Sequence, residues 1–188
     1  MQAKSTDDEA LLAALRQVRD GHIQAYGRVV ELLQRPLFRV LMRYLHNAED
    51  AMDLVQQSLL RAFEELPKLQ RVEAFRPWLF RIATNLALSS LRQASRHAQG
   101  ELDAERHASP SPNAEQTLSQ AQEREALYAA LDVLSPSQRA VVVLRLETEL
   151  GYAEIAESVG STENAARVHF HNAVRRLRDE LRDRGVSA

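Results

Sequence analysis

Hydrophobic residues recur along this chain at intervals of three and four positions, which is the spacing of one face of an α-helix. No two alternating segments are joined by a glycine-containing hairpin turn, so strand signals are almost absent. The pattern predicts an all-α fold. A first helix is expected from about Asp7 to Arg19, with Thr6 and Glu9 as a capping box and Gly21 after its end.

Two further helices are expected before residue 68. A run from about His22 to Tyr44 contains Pro36, where a kink is expected because proline cannot donate a backbone hydrogen bond. Asn47 is predicted to cap the next helix and Pro67 to end it. The inward stripe of that helix is predicted to consist of Met52, Val55, Leu59, Phe63 and Leu66.

A fourth helix is predicted from near Arg76, with Pro77 in its first turn, towards His97. Helical periodicity is then lost in residues 98–116, which contain two Ser-Pro pairs and belong to an acidic stretch. This segment is interpreted as a flexible acidic linker. The chain is thereby divided into a domain of residues 1–97, the linker 98–116 and a second domain of residues 117–188.

In the second domain, the positions of glycines and capping residues predict a helix-turn-helix. Ser135 and Pro136 are expected to begin one helix as its N-cap and first-turn proline. Gly151 and Gly160 then separate a short helix from a longer one that is capped by Ser161 or Thr162. We therefore expect two small helical domains, the second of which contains a helix-turn-helix.

The last helix separates an apolar face from a polar and mostly cationic one. The apolar face is predicted to contain Ala166, Phe170, Ala173, Val174, Leu177 and Leu181. Asparagine and arginine near the start of such a helix can reach base edges, whereas later arginines suit phosphates. The predicted DNA-binding residues are Glu163, Asn164, Arg167, His171, Arg175 and Arg178. The alternative is an ordinary solvated charged face.

The charge distribution matters more than the net charge of −2. Two basic stretches, around residues 71–96 and 167–184, lie on either side of the acidic connector. A near-neutral protein of this kind is not an indiscriminate nucleic-acid binder, but it carries two cationic surfaces.

Several classes of protein are disfavoured. The chain has no cysteine, which excludes disulfides and Cys-based zinc sites and fits a reducing compartment. Its six histidines form no HExxH arrangement, and neither a glycine-rich phosphate loop nor a GxSxG motif is present. The acidic amino terminus is unlike a signal peptide, and no run of 18 apolar residues occurs. We expect a cytoplasmic, non-enzymatic protein that needs no cofactor or metal and does not insert into a membrane.

Three segments carry a family resemblance: AEDAMDLVQQSLLRAFEEL, FRPWLFRIATNLALSSLR, and LGYAEIAESVGSTENAARVHFHNAVRRLR together with the preceding LDVLSPSQRAVVVLRLETE. In this order they resemble extracytoplasmic-function (ECF) RNA polymerase sigma factors, over roughly residues 10–182. The resemblance implies an alternative sigma factor that directs promoter-specific transcription initiation. The implied partners are core RNA polymerase, through its β′ clamp helices and β flap, promoter DNA, and an anti-sigma factor.

The resemblance also implies roles for residues of the first domain. Residues implied to bind the clamp are Asp50, Asp53, Leu54, Gln56, Gln57 and Leu60, with both leucines expected outside the buried stripe. Residues implied to bind and open the minus-10 element are Arg76, Arg81, Asn85, Arg92 and Arg96. Among them Asn85 would hold a flipped base, whereas Trp78 is expected in the core. The last helix would read the minus-35 element.

The chain departs from the family pattern at Asn164-Ala165, where many relatives have Gly-Thr, and at Asn172, where they have a basic residue. These departures affect which promoter sequence is expected to be recognised more than whether the chain is a sigma factor. Two rival interpretations remain. A plain two-domain transcription regulator would not depend on core polymerase. A sigma-like interaction module would have lost DNA binding, which Arg167, Arg175 and Arg178 argue against.

Overall fold

The computed structural model describes the backbone of residues 2–100 and 127–184 and the side chains of residues 6–94 and 127–184. All regular structure in these ranges is helical, which confirms the predicted all-α fold of two helical domains. The amino-terminal domain contains α1 (Gln2–Arg19), α2 (Tyr26–Leu45), α3 (Ala48–Glu65) and α4 (Phe75–Gly100). The carboxy-terminal domain contains α5 (127–132), α6 (Pro136–Glu147), α7 (Tyr152–Val159) and α8 (Glu163–Asp183).

Local sequence sets the ends of α2 and α3. The α2 helix continues through Pro36 and ends at Leu45, where His46 takes a left-handed conformation with φ 59°. The side chain of Asn47 then accepts hydrogen bonds from the backbone N–H groups of Glu49 at 2.9 Å and Asp50 at 3.3 Å. The predicted N-cap of α3 is therefore confirmed.

The buried stripe of α3 differs from the predicted one. Met52 was expected inside and is 45% exposed, whereas Leu54 was expected outside and is only 9% exposed. Both predictions were wrong because the contacts of α3 with α2 and α4 together centre its buried surface on the side that carries Leu54 and leave Met52 outside it. Small residues allow this close approach, and the buried positions are Ala51, Leu54, Val55, Ser58, Leu59 and Ala62.

The α4 helix reaches Gly100, three residues into the predicted linker. The remainder of that linker, residues 101–116, and the predicted return of helical structure near Thr117 lie outside the described residues.

The α6 helix lies at the centre of the carboxy-terminal domain. Ser135 caps it as predicted, in a capping box with Gln138. Five consecutive residues, Ala140 to Leu144, are buried because α6 contacts α2, α7 and α8 on different faces.

The turn between α7 and α8 has the geometry that the sequence predicts. Gly160 ends α7 in the left-handed region, at φ 67°. Of the two candidate caps of α8, Thr162 is the one used, since its hydroxyl accepts a hydrogen bond from the backbone N–H of Ala165 at 3.2 Å. This confirms the helix-turn-helix.

The two domains are in direct contact, because α6 packs on α2 and α7 packs on α4. Within the described ranges, no helix is both long enough and apolar enough to cross a membrane.

Candidate nucleic-acid interface

The α8 helix exposes one polar face and buries the opposite one. Residues predicted to bind the minus-35 element are all exposed: Glu163, Asn164, Arg167, His171, Arg175 and Arg178. From Asn164 onwards they recur every three or four positions, which places them along one side of the helix. Ala166 and Ala173 are completely buried on the other side. The face is therefore available to a groove of DNA without disturbing the core.

The guanidinium of Arg167 is held in place near the start of this face. It forms an ion pair with Glu163 at 2.6 Å and lies 4.6 Å from the ring centroid of Tyr152 in α7. Tyr152 in turn meets Phe170 edge-on at 5.9 Å. These contacts restrict the arginine before any ligand binds, which lowers the entropy lost on binding.

Three arginines near the end of α8 have different surroundings. Arg176 reaches Gln138 of α6, with Nη1 3.5 Å from the amide oxygen. Arg175 and Arg178 are exposed and form no ion pair within the described part of the chain. Their positive charge is thus free to meet phosphates.

The α4 helix presents a second row of polar side chains. Arg81, Asn85 and Arg92 are exposed at spacings of four and seven residues, so they share one face. Phe80, directly before Arg81, and Ala83, between Arg81 and Asn85, are buried in the core. The rigid helix therefore positions an amide between two cations.

Two other minus-10 candidates do not join this row. The side chain of Arg76 is only 17% exposed and forms an ion pair with Asp8 of α1 at 3.1 Å. Arg76 therefore links the start of α4 to α1. The side chain of Arg96 lies outside the described residues. Trp78, which was expected in the core, is half-buried at its edge, with its ring centroid 5.8 Å from that of Phe75.

An open cleft of about 340 Å³ lies where the connection between α3 and α4 meets the start of α4. Its lining residues are Glu65, Lys68, Leu69, Gln70, Arg71, Ala74 and Trp78. The cleft is thus lined by two cations, one carboxylate, one amide and the indole of Trp78. Periodicity could not reveal this cleft, because most of its lining comes from a connection and not from a helix face.

The face of α3 that was predicted to bind polymerase is mostly exposed. Asp50, Asp53, Gln56, Gln57 and Leu60 are exposed, whereas Leu54 belongs to the core. Met52 is also exposed and lies about two turns before Leu60 along the same side of the helix. The resulting candidate docking face combines two apolar side chains with two carboxylates and two amides: Asp50, Met52, Asp53, Gln56, Gln57 and Leu60.

Comparisons with known proteins agree with this arrangement. Sigma-70 region 2 matches residues 29–97, and Sigma-70, region 4 matches residues 124–177. The ECF RNA polymerase sigma factor SigE of Mycolicibacterium smegmatis is 35% identical over 77% of this chain, which spans 57% of the length of that protein. The ECF RNA polymerase sigma factor SigL of Mycobacterium tuberculosis (strain H37Rv) is 31% identical over 80% of this chain and 85% of its own length.

A solved structure supports the fold as well. The sigma factor RpoE of Bartonella quintana, in a co-crystal with the anti-sigma factor NepR, has a TM-score of 0.63 and 22% identity. The alignment covers 84% of this chain and 96% of that one. From the two matched regions and the shared identity with SigL, the chain belongs to the family of ECF RNA polymerase sigma factors.

Proposed function

We propose that this chain binds core RNA polymerase and directs it to promoters through two DNA contacts, one in each domain. The observation that carries the proposal is the exposed, ordered face of α8 in a helix-turn-helix, together with a second exposed cationic face on α4. The chain matches both Sigma-70 region 2 and region 4, which supports the proposal that both faces bind the same promoter.

The α8 face would read the minus-35 element in the major groove. Asn164 and Arg167 lie within its first two turns, where a recognition helix reaches base edges. An asparagine amide suits adenine, an arginine suits guanine, and the carboxylate of Glu163 can accept from cytosine. Arg175 and Arg178, two to three turns further along, would bind phosphates.

The α4 face would hold the minus-10 element and open it. Asn85 can hydrogen-bond the edge of an unpaired base, while Arg81 and Arg92 on either side bind the backbone. The cleft at the start of α4, with Lys68, Arg71 and Trp78, has the cationic and aromatic lining that favours a single-stranded base. Arg76 is left out of this role because its side chain is only 17% exposed and is already paired with Asp8.

The docking face of α3 would bind the polymerase clamp, with Met52 and Leu60 as apolar contacts and Asp50 and Asp53 as acidic ones. Leu54 is left out because it is buried. Regulation by an anti-sigma factor is part of the proposal, since the structural neighbour from Bartonella was solved with one. A fraction of source-cell extract that suppresses transcription by this protein, but not by a different sigma factor, would identify such a partner.

The decisive experiment is run-off transcription by core RNA polymerase on fragmented genomic DNA, with and without this protein. We expect new, defined transcripts that appear only when both are present. DNA binding without core polymerase and without new transcripts would instead establish the plain regulator. Absence of both binding and transcripts would favour the interaction module.

Matched variants assign the DNA contacts on a mapped promoter. Arg175→Gln should weaken promoter binding by the holoenzyme, whereas Arg176→Gln, one residue away and directed to α6, should not. Asn85→Ala should reduce permanganate reactivity of minus-10 thymines without changing minus-35 protection. If Arg175→Gln and Arg176→Gln behaved alike, the assignment of the α8 face would be wrong.

A further inference from the structure

Charged side chains from both domains build the contact between α2 and α6. The carboxylate of Glu147, in the last turn of α6, lies between two arginines of α2. One oxygen is 2.6 Å from Nε of Arg43, and the other is 3.5 Å from Nε of Arg39. Arg39 also donates to the backbone carbonyl of Glu147 at 3.1 Å. The side chain of Glu147 is only 12% exposed, so solvent screens this group less than an ordinary surface ion pair.

Arg139, near the start of α6, makes a second polar contact between the two domains. Its Nη2 donates to the backbone carbonyl of Arg43 in the last turn of α2, and its Nη1 binds the carboxylate of Asp132 at 2.6 Å. The carbonyls at a helix carboxyl end lack partners inside the helix and attract cations. The carboxy-terminal domain thus caps a helix of the amino-terminal domain, with an arginine whose side chain is only 10% exposed.

An aromatic contact lies beside this cap. The rings of His46 and Tyr128 stack with centroids 4.0 Å apart and planes within 12°. His46 follows α2 directly and Tyr128 belongs to α5, so this contact also joins the two domains.

The domain contact is incompatible with simultaneous reading of both promoter elements. Elements centred about 25 base pairs apart lie about 85 Å apart along B-DNA, whereas a compact chain of this length has a radius of gyration of about 16 Å. In addition, α7 of the helix-turn-helix packs on α4, the helix that carries the proposed minus-10 face. Given the proposed function, on which this step rests, the domains must separate before initiation.

We infer that Arg39, Arg43, Arg139 and Glu147 form an interdomain latch, which holds the free chain closed and sets how readily core polymerase opens it. Only the open fraction is competent to bind both polymerase and promoter, so the latch lowers the apparent affinity for both. Each member contacts the opposite domain through a charged group or a backbone carbonyl.

The latch can be tested in the complete chain without polymerase. The chain has no cysteine, so dyes can be placed uniquely through Gln34→Cys on α2 and Asp179→Cys on α8, both exposed positions. Glu147→Gln keeps the size of the side chain but removes its charge. We expect single-molecule energy transfer to show an open-to-closed ratio raised about tenfold. Asp183→Asn, which removes an exposed carboxylate of the same domain, should leave the ratio unchanged.

A double-mutant cycle separates the latch from a general effect of charge. Arg43→Gln alone should open the chain, and adding it to Glu147→Gln should have little further effect, because both remove the same ion pair. Circular dichroism checks that each variant keeps its helices. An unchanged ratio in Glu147→Gln, or full additivity in the double variant, would overturn the latch.

The consequence for transcription is measured separately. The Glu147→Gln variant should reach half of the maximal run-off transcript yield at a lower protein concentration than the original chain does. Complete absence of transcripts with the original chain would refute the proposed function but leave the energy-transfer result intact. Transcription with an unchanged half-saturating concentration would show that the latch does not govern opening by polymerase.

Discussion

Two tyrosines of α2 illustrate how the surroundings of a residue decide its contribution. The hydroxyl of Tyr26 donates to the backbone carbonyl of Leu59 at 2.6 Å and so ties α2 to α3. The hydroxyl of Tyr44 is buried without a hydrogen-bond partner among the described residues, and its ring lies 5.1 Å from the guanidinium carbon of Arg139. A satisfied buried hydroxyl stabilises a fold, whereas an unsatisfied one retains a desolvation cost.

We therefore predict opposite effects of the same substitution. Tyr26→Phe should lower the free energy of unfolding by about 1 kcal/mol, and Tyr44→Phe should raise it by up to about 1 kcal/mol. Urea denaturation of the two variants measures both values. Tyr152→Phe, at a partly exposed ring of α7, serves as the control and should change little. Two changes of the same sign would contradict the prediction.

The same burial predicts how stability depends on pH. It raises the pKa of Tyr26 and of Tyr44 above the ordinary range, although the charge of Arg139 opposes the rise at Tyr44. Because the folded-state pKa values are raised, their contribution is complete below the unfolded pKa of about 10 and is lost as pH rises above it.

Of the 24 basic residues, 22 are arginines and only Lys4 and Lys68 are lysines, so few other groups titrate there. The free energy of unfolding should thus fall above about pH 10, and less steeply in a Tyr26→Phe/Tyr44→Phe double variant. Thermal melts between pH 8 and 11 provide the measurement. If thermal stability fell equally steeply with pH in the original chain and in the double variant, the prediction would be wrong.

Among the elements, the helix-turn-helix depends on one glycine. Gly160 has φ 67°, a conformation that residues other than glycine adopt only with strain. A Cβ atom added at this position would nevertheless meet no other atom within 4 Å. Gly27 lies in α2 with equally open surroundings and no unusual φ. Backbone conformation is therefore the main difference between the two sites.

Alanine should have opposite effects at the two glycines. Gly160→Ala should lower the free energy of unfolding by about 1 kcal/mol, whereas Gly27→Ala should raise it by about 0.5 kcal/mol. Gly160→Asn should be milder than Gly160→Ala, because asparagine tolerates the left-handed region. Thermal unfolding followed by circular dichroism tests all three. Equal losses at both glycines would mean that conformation is not the cause.

For the whole molecule, two cationic faces lie on separate domains, Arg81 and Arg92 on α4 and Arg175 and Arg178 on α8. Each phosphate contact contributes about 0.9 to the slope of the logarithm of binding constant against the logarithm of salt concentration. A protein that uses both faces on one promoter should show contributions from both.

Holoenzyme binding to a mapped promoter should therefore lose about one unit of salt slope in Arg92→Gln, one in Arg178→Gln and about two in the double variant. Arg35→Gln, at an exposed position of α2, should leave the slope unchanged. Filter binding at several salt concentrations measures these slopes. A plain regulator that reads DNA only with α8 would show no change in Arg92→Gln.

The sequence by itself determined the all-α fold, the family and the caps of α3, α6, α7 and α8. The start of α1 was predicted wrongly, because α1 begins at Gln2 and not at the capping box expected from Thr6 and Glu9. Asn47, Ser135, Gly160 and Thr162 act within one turn of their own backbone, so their roles follow from neighbouring residues alone. The exposed row on α8 also followed from sequence, because its periodic pattern separates two faces clearly.

Only the tertiary structure decided which residues are available for binding. Met52 is exposed and Leu54 is buried, opposite to the prediction, because two neighbouring helices pack on α3. Arg76 is paired with Asp8 from another helix. The cleft beside Trp78 and the contact of Arg139 with α2 likewise join residues from different elements. Contacts between residues distant in sequence leave no periodic signal, since they depend on how helices pack and not on the spacing within one helix.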